Sequence, residues 1–177
     1  MKLIILDRDG VINQDSDNYI RSPDEWVAIP GSLEAIARLN QAGYQIVVCT
    51  NQSGLARGYF DIEILHAIHA KMLKLLAQHG GYIEAIFYCP HGPDQNCDCR
   101  KPKPGMLLEA GQRLKADLQE SIMVGDTERD IQAAQAAGAR GVLVRTGKGE
   151  WAEKKLKNTV SIYDDLAEFS LQMVIQK

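Results

Sequence analysis

The stretch ILDRDGVIN, residues 5–13, places two aspartates around one arginine directly after an apolar run. Residues 3–6 of that run, LIIL, are typical of a buried β-strand. Asp7 and Asp9 follow at once, and two carboxylates this close repel each other unless a cation or a chemical step requires both. The stretch therefore predicts a charged functional site at the end of a buried strand.

Beyond this stretch, short apolar runs alternate with helical patterns along the chain. The helical patterns begin at residues 32, 61, 105 and 127, where Ser32 and Asp61 can cap a helix, and a last helix is predicted at 164–174. Apolar runs typical of strands covered on both faces occupy residues 2–6, 44–49, 83–89, 121–125 and 141–145. The alternation predicts an α/β fold with a doubly wound parallel sheet and right-handed crossovers, in a single domain spanning residues 1–177.

The composition carries no strong charge bias. The chain has 177 residues, 45% of them hydrophobic, and a formal net charge of -3. This balance offers no general basic field for nucleic acid or for a membrane surface. No apolar run approaches the roughly 20 residues of a membrane span, and the N-terminal MKLIILDRD does not resemble a secretion signal. We therefore expect a cytoplasmic protein, and we expect it to be a monomer.

Polar residues follow the predicted strands, and in open α/β sheets the ligand site lies beyond these carboxyl ends. The residues concerned are Asp7, Thr50–Asn51, Pro90–His91 and Asp126. Carboxylates from two strands suit Mg²⁺, which prefers oxygen ligands. Donors on Thr50, Asn51 and Lys101 would hold phosphoryl oxygens. One carboxylate could then attack phosphorus to form an aspartyl phosphate, while another serves as acid and then as base.

Each of these residues also has a simpler interpretation. An aspartate after a strand commonly caps a helix, and Asp126 could cap the alanine-rich segment because Thr127 and Asp130 stand close to capping-box spacing. Thr50 and Asn51 could form a turn. The complete set, in this order at these strand ends, favours a catalytic site over separate turns and caps.

Four segments resemble the four motifs of the haloacid dehalogenase (HAD) superfamily of phosphohydrolases. They are DRDGVIN, VVCTNQSG, CRKPKPGM and MVGDTERD, and the resemblance spans residues 2–146. It implies that Asp7 is the nucleophile and Asp9 the acid/base. It also implies that Thr50 and Lys101 bind the phosphoryl group, with Lys103 as a rival for the lysine role.

The same resemblance implies a magnesium site. Its ligands would be the side chains of Asp7 and Asp126 and the backbone carbonyl of Asp9. Many members of the superfamily carry a cap domain after the first or the third strand. Here the segments 7–49 and 51–100 are too short for one, so we expect a capless fold whose substrate is selected by the loops 13–22, 52–59 and 90–100.

The last of these loops contains a second cluster of ligand-type residues. In CPHGPDQNCDC, four potential donors occur, namely Cys89, His91, Cys97 and Cys99. Three thiolates and one imidazole suit tetrahedral Zn²⁺ in a structural site. The alternative, core thiols with an unrelated surface histidine, fits poorly in a polar loop rich in Pro and Gly, and a Cys97–Cys99 disulfide would be strained. Cys49 ends an apolar run and is predicted to be a core thiol.

The capless fold, the cysteine loop and CRKPKPGM resemble the D,D-heptose 1,7-bisphosphate phosphatase group, with the related histidinol-phosphate phosphatase group as the alternative. The resemblance implies a small phosphorylated sugar as substrate, cleaved at its 7-phosphate during synthesis of nucleotide-activated heptose for lipopolysaccharide. The implied substrate contacts are Asp15, Ser16, Asn18, Tyr19, Asn51, Gln52, Ser53 and Arg100. The loop DSDNY is one residue longer than the group pattern, and Arg100 has a planar fork suited to a second phosphate, although it could be a solvated cation.

Two proteins of other classes could share part of this pattern. A phosphate-accepting receiver domain would need its phosphorylated aspartate after the third strand, where this chain has Cys89 and Pro90. A zinc-stabilised binding module without catalysis predicts gaps in the catalytic set. Neither explains Asp7 and Asp9 together with Asp126.

Overall fold

The computed structural model describes residues 2–175 and contains one six-stranded sheet in which every neighbouring pair is parallel. The strands are β1 (Leu3–Leu6), β2 (Gln45–Asn51), β3 (Ala85–Cys89), β4 (Ile122–Gly125), β5 (Arg140–Val144) and β6 (Ser161–Tyr163). Their order is β3-β2-β1-β4-β5-β6. Strands β2 and β3 extend the sheet on one side of β1 and strands β4 to β6 extend it on the other, so the direction in which strands are added reverses between β1 and β4. The predicted doubly wound parallel sheet is confirmed, and a ligand crevice is expected at this reversal.

Helices cover both faces of the sheet. They are α1 (Ser32–Gln41), α2 (Ile62–Gln78), α3 (Gly105–Leu114), α4 (Glu128–Ala137), α5 (Gly149–Leu156) and α6 (Leu166–Ile175). Alternate residues of β1 show the division: Ile4 and Leu6 pack with α1, α2 and α6, whereas Leu3 and Ile5 pack with α3 and α4. Because both faces are buried, the central strands are apolar almost throughout, which is why they stand out in the sequence.

The strand and helix boundaries differ from the predicted ones in instructive places. β2 continues through Thr50 to Asn51, because these residues pair with β3 in register. Asp61 caps α2 as predicted, and its carboxylate accepts a hydrogen bond from the Ile64 backbone at 2.9 Å. The prediction that Ser32 caps α1 is wrong: Gly31 holds the cap position, and the Ser32 hydroxyl instead donates to the carbonyl of Val11 at 2.9 Å.

Two elements near the C-terminus, α5 and β6, were not predicted. Helix α5 reads GEWAEKKL and buries only Gly149 and Ala152, so it lacks a wide apolar stripe. Strand β6 has three residues, none of them fully buried, and lies at the edge of the sheet. Short and partly exposed elements give weak hydrophobic patterns.

The segments that could hold a cap domain are short loops. Between β1 and α1 the chain forms one turn of 3-10 helix, Pro23–Glu25, and residues 52–61 between β2 and α2 form turns. Within residues 2–175 neither segment contains a further domain, as expected for a capless fold. None of the described helices combines the length and the apolar character that crossing a bilayer requires.

Candidate active site

The polar residues that follow β1, β2 and β4 surround one cavity of about 280 Å³ at the carboxyl ends of the strands. It is lined by all four predicted catalytic residues, Asp7, Asp9, Thr50 and Lys101, and by the predicted magnesium ligand Asp126. It is also lined by seven of the eight predicted substrate contacts, Asp15, Ser16, Tyr19, Asn51, Gln52, Ser53 and Arg100. Asn18 lines a neighbouring groove instead, and its backbone carbonyl accepts a hydrogen bond from Arg21 at 2.7 Å.

Lys101 lies at the centre of the charged groups. Its buried Nζ is 3.0 Å from Asp7 Oδ1 and 2.7 Å from Asp130 Oδ1, and it donates to the Cys49 carbonyl at 2.7 Å. Burial lowers the pKa of Lys101, but Asp130 and Asp7 outweigh it and raise the pKa above its usual value. Lys103, the rival in the sequence, is exposed and donates to the Cys97 carbonyl at 2.7 Å. The structure thus places Lys101, and not Lys103, against Asp7.

Asp130 was missed in the sequence as a member of the site. It lies one helical turn after Asp126, and its Oδ2 accepts from the Thr127 hydroxyl at 2.8 Å and from the Thr127 and Asp126 backbone nitrogens at 3.1 Å and 3.2 Å. Its other oxygen faces Lys101. Thr127 therefore caps α4, which leaves Asp126 available for the cavity. In the sequence, the spacing of Thr127 and Asp130 indicates a helix cap, but it gives no sign that Asp130 also contacts Lys101.

The carboxylates of Asp7 and Asp126 need more positive charge than the protein provides. Burial raises the pKa of Asp7 to about 7, with Asp130 and Asp9 adding to the effect and Lys101 opposing it. Burial and then Asp130 raise the pKa of Asp126 well above its usual value. Oxygens of Asp7, Asp126 and Asp130 lie within 4.8 Å of one another. A hard divalent cation bound by Asp7 and Asp126 would supply the missing charge.

The backbone approaches Asp126 so closely that only glycine fits beside it. A Cβ atom at Gly10, where φ is +83°, would lie 2.1 Å from Asp126 Oδ2, and one at Gly147 would lie equally close. The backbone nitrogen of Lys148 donates to Asp126 Oδ2 at 2.9 Å. The Thr146 hydroxyl donates to the Gly10 carbonyl at 2.6 Å. The loop after β5 thus holds the loop after β1 against Asp126.

Asp9 is fixed by three side chains. It accepts hydrogen bonds from Arg8 Nε at 3.0 Å, from Asn13 Nδ2 at 2.9 Å and from Gln52 Nε2 at 3.1 Å. Burial alone would raise the pKa of Asp9, but Arg8 and these hydrogen bonds lower it below its usual value. Gln52 also donates to Thr50 Oγ1 at 2.9 Å, so the two motifs are joined directly.

The four residues of the cysteine loop come together as predicted. Sγ of Cys89 lies 3.1 Å from that of Cys99 and 3.8 Å from that of Cys97. His91 Nδ1 lies 3.5 Å from the Cys89 sulfur and 3.4 Å from the Cys99 sulfur. All four cysteines of the chain are free thiols. The three separations of 3.4–3.8 Å suit donors at the corners of a tetrahedron around Zn²⁺, whose bonds to sulfur and nitrogen are about 2.3 Å and 2.0 Å, whereas the sulfurs of Cys89 and Cys99 lie closer together than such a tetrahedron requires.

Asn51 joins the cysteine loop to the cavity. Its Nδ2 donates to the Lys101 carbonyl, and its Oδ1 accepts from the Lys101 backbone nitrogen, both at 3.0 Å. The sequence predicts Asn51 as a substrate contact, and it does line the cavity. The structure adds that both polar atoms of its side chain hold the backbone of Lys101 in place.

Two further cations line the cavity and were not predicted, Arg129 and Lys148. Arg129 is exposed in the first turn of α4, and it lies close enough to Arg100 that, after burial, it is the main cause of a lowered Arg100 pKa. Lys148 Nζ lies 3.6 Å from Asp15 and 3.5 Å from Asp17, on the loop that was predicted to contact substrate. Arg129 lies within the quoted segment MVGDTERD but the resemblance implies no role for it, and Lys148 lies outside all four segments.

Comparisons with known proteins agree with this geometry. A HAD-hydrolase-like family model matches residues 98–169. The D-glycero-beta-D-manno-heptose-1,7-bisphosphate 7-phosphatase of Pseudomonas putida is 53% identical over 98% of this chain and 100% of its own. That of Bordetella bronchiseptica is 55% identical, over 98% of both chains.

Two solved structures of D,D-heptose 1,7-bisphosphate phosphatases also match this chain. The crystal structure of D,D-heptose 1,7-bisphosphate phosphatase from B. bronchiseptica, complexed with magnesium and phosphate, superimposes with a TM-score of 0.97 over 100% of both chains, at 54% identity. The enzyme from Burkholderia thailandensis has a TM-score of 0.78 at 44% identity, covering 98% of this chain and 99% of its own.

The parallel sheet, with its carboxylates and buried lysine at the strand ends, is thus that of a HAD-like hydrolase. Within that class, the chain belongs to the family of D-glycero-beta-D-manno-heptose-1,7-bisphosphate 7-phosphatases.

Proposed function

We propose that this protein is a magnesium-dependent phosphatase that removes the 7-phosphate from D-glycero-β-D-manno-heptose 1,7-bisphosphate. The observation that carries the proposal is Asp7, held in the cavity with the Lys101 ammonium 3.0 Å from its Oδ1. The sugar and its β-anomer are those acted on by the relatives named above. The product would be the heptose 1-phosphate, a precursor for nucleotide-activated heptose.

In the first step Asp7 attacks the phosphorus of the 7-phosphate and forms an aspartyl phosphate. Lys101 and the Thr50 hydroxyl would donate hydrogen bonds to the phosphoryl oxygens, and both side chains are buried and line the cavity together with Asp7. Mg²⁺ would be held by the carboxylates of Asp7 and Asp126 and by the Asp9 carbonyl. When bound, it supplies positive charge that reduces the repulsion between carboxylate and phosphate.

Asp9 handles the proton in both steps. It protonates the sugar oxygen as the bond to phosphorus breaks, and it then accepts a proton from the water that hydrolyses the aspartyl phosphate. Its lowered pKa favours the carboxylate form that the second step requires. For the first step, the negative charge of the incoming phosphate would act against this lowering of the Asp9 pKa.

The 1-phosphate would bind at the rim, between Arg100 and Arg129. The two guanidinium groups line the same cavity, and no ion pair with either is found among residues 2–175. A phosphate dianion bound between the two arginines would offset the repulsion between their charges, because both guanidinium groups can donate hydrogen bonds to its oxygens. Histidinol phosphate lacks a second phosphate, so this rim favours the bisphosphate.

The cysteine loop would hold a structural Zn²⁺ through Cys89, His91, Cys97 and Cys99. Four protein donors leave no open position for water or substrate, so the ion would order the loop that precedes Arg100 and Lys101. We also propose that the chain acts as a single domain and as a cytoplasmic monomer. Free thiols suit a reducing compartment.

The test is a substrate comparison with purified protein and Mg²⁺. We expect kcat/KM for heptose 1,7-bisphosphate to exceed that for histidinol phosphate by at least about 100-fold, the size of effect that loss of a charge-assisted contact can produce. Nuclear magnetic resonance of phosphorus should show the 1-phosphate retained. Preference for histidinol phosphate would overturn the assigned substrate, and release of the 1-phosphate would overturn the assigned orientation.

A further inference from the structure

A buried arginine lies between the two aspartates of the first motif. The side chain of Arg8 is fully buried, and its fork faces Asp9: Nε donates to Oδ1 at 3.0 Å and Nη2 donates to Oδ2 at 3.2 Å. This two-point contact fixes both the position and the rotation of the Asp9 carboxylate. A guanidinium cut off from water also needs acceptors for its remaining N–H groups, because an unpaired buried donor is costly.

His69 on α2 supplies such an acceptor. Its Nε2 lies 3.2 Å from Arg8 Nη1, and since a guanidinium can only donate, Nε2 carries the lone pair and Nδ1 the proton. Burial and then the charge of Arg8 lower the pKa of His69 to about 3, so the imidazole is neutral at physiological pH. His69 occupies the buried face of α2, among Leu65, Ile68 and Met72.

The surroundings explain why Asp9 needs this support. Asp9 is followed by Gly10 with φ of +83°, in a loop that turns away from β1. Asn13 belongs to the same loop, whereas Gln52 reaches Asp9 Oδ2 from the segment after β2, at 3.1 Å. Arg8 is anchored from outside the loop by His69, which is fixed in the core by helix packing.

We propose that His69 is a positioning residue for Asp9: it fixes the guanidinium fork of Arg8, which in turn aims the Asp9 carboxylate at the leaving oxygen. The proposal rests on the proposed function, in which Asp9 is the acid/base. His69 does not itself touch substrate, because it lies behind Arg8 and does not line the cavity.

We expect that changing His69 lowers kcat/KM by a factor that depends on the leaving group of the substrate. A sugar alkoxide leaves only if Asp9 protonates it, whereas p-nitrophenolate leaves without an acid. The measurement is kcat/KM, which covers the steps up to formation of the aspartyl phosphate, for heptose bisphosphate and for p-nitrophenyl phosphate. A purely structural role for His69 would change both values by the same factor.

Two amide variants form a matched pair. In His69→Asn the amide reaches only the position of Nδ1, so it cannot accept from Arg8, whereas the amide oxygen of His69→Gln reaches the position of Nε2. We expect His69→Asn to lower kcat/KM for the sugar phosphate by roughly 30- to 100-fold, and for p-nitrophenyl phosphate by less than about threefold. His69→Gln should restore most of the loss. Met72→Leu changes the packing of the same buried face without touching Arg8, and is the control.

The ratio of the two kcat/KM values is taken within one preparation, so it does not depend on the folded fraction. If His69→Asn gives no soluble protein, His69→Leu replaces it, since leucine fills the core but accepts no hydrogen bond. Equal losses on both substrates, or no loss, would overturn the role of His69. Failure of the wild type to hydrolyse the sugar bisphosphate would instead overturn the proposed function.

Discussion

The molecule carries two clusters of metal-ligand residues that differ in chemistry and in surroundings. The acidic cluster of Asp7, Asp126 and Asp130 lies at the strand ends, and the pKa values of Asp7 and Asp126 are raised by burial first and then by the neighbouring carboxylates. The cysteine cluster lies on a loop, and its four donors already form a closed set. The first cluster is suited to chemistry because charge remains to be balanced there. The second is suited only to holding structure.

The two clusters are nevertheless joined through a short stretch of chain. Asn51 pairs with Cys89 in the β2–β3 register, and it holds the backbone of Lys101, only two residues after Cys99. The cysteine cluster is therefore linked to the acidic cluster through the backbone of Lys101. The variants and treatments that follow test whether the acidic cluster carries out the reaction while the cysteine cluster stabilises the structure, beginning with the largest effect.

Replacing Asp7 with Asn should abolish turnover, by at least about 10⁴-fold, because the covalent nucleophile is removed. The fold should persist, since removal of one carboxylate relieves repulsion with Asp130 and Asp9. Turnover and thermal unfolding of the same preparation check both parts. An active Asp7→Asn enzyme would mean that the reaction does not take place at the acidic cluster.

Brief chelation followed by buffer exchange should remove activity, and Mg²⁺ alone should restore it. The acidic cluster would release its ion readily because magnesium keeps water among its ligands, whereas the closed cysteine cluster would retain zinc. Metal analysis before and after treatment gives the control. A requirement for added Zn²⁺ to regain activity would contradict the division of roles.

Replacing Arg100 with Ala tests the residue that lies between the clusters. We expect KM for the bisphosphate to rise roughly 30-fold, from loss of about 2 kcal/mol of charge-assisted hydrogen bonding, with kcat little changed. Arg113→Ala is the control, because that arginine is exposed on α3 and pairs with Glu109 away from the cavity. A fall in kcat with unchanged KM would indicate that Arg100 supports Lys101 and not the second phosphate.

Replacing Cys97 with Ser should give the smallest effect on activity, about five- to tenfold, because it loosens the loop without removing a catalytic group. Zinc content should fall sharply, since a hydroxyl is a poor ligand beside the two remaining thiolates and the imidazole. Asn96→Ser, an exposed change in the same loop, should alter neither value. Full zinc content in Cys97→Ser would show that the ligand set is wrong.

The sequence predicts the centre of this molecule better than its edges. β1, β2 and β4 are buried on both faces, so their apolar runs mark them, and the polar residues that follow lie at one edge of the sheet. The cysteine loop is marked by ligand type and spacing. These features are local, which is why they can be read along the chain.

The contacts of the site that the sequence does not reveal join residues distant in sequence. Asn51 meets Lys101 only through the register of the sheet, and Arg129 reaches the cavity only through the start of α4. His69 occupies an apolar face of α2, where the pattern indicates core and gives no sign of Arg8. Predicting any of these contacts requires knowledge of which helices and strands pack together.

The most direct test of the mechanism is to trap the phosphorylated enzyme. An Asp9→Asn variant mixed with p-nitrophenyl phosphate and Mg²⁺ should form the aspartyl phosphate but hydrolyse it slowly, because the leaving group needs no acid whereas the attacking water needs a base. Mass spectrometry after rapid acid quenching should find the phosphoryl group on the peptide that contains Asp7. A burst of p-nitrophenol from an unlabelled enzyme, or a label on another residue, would contradict the account.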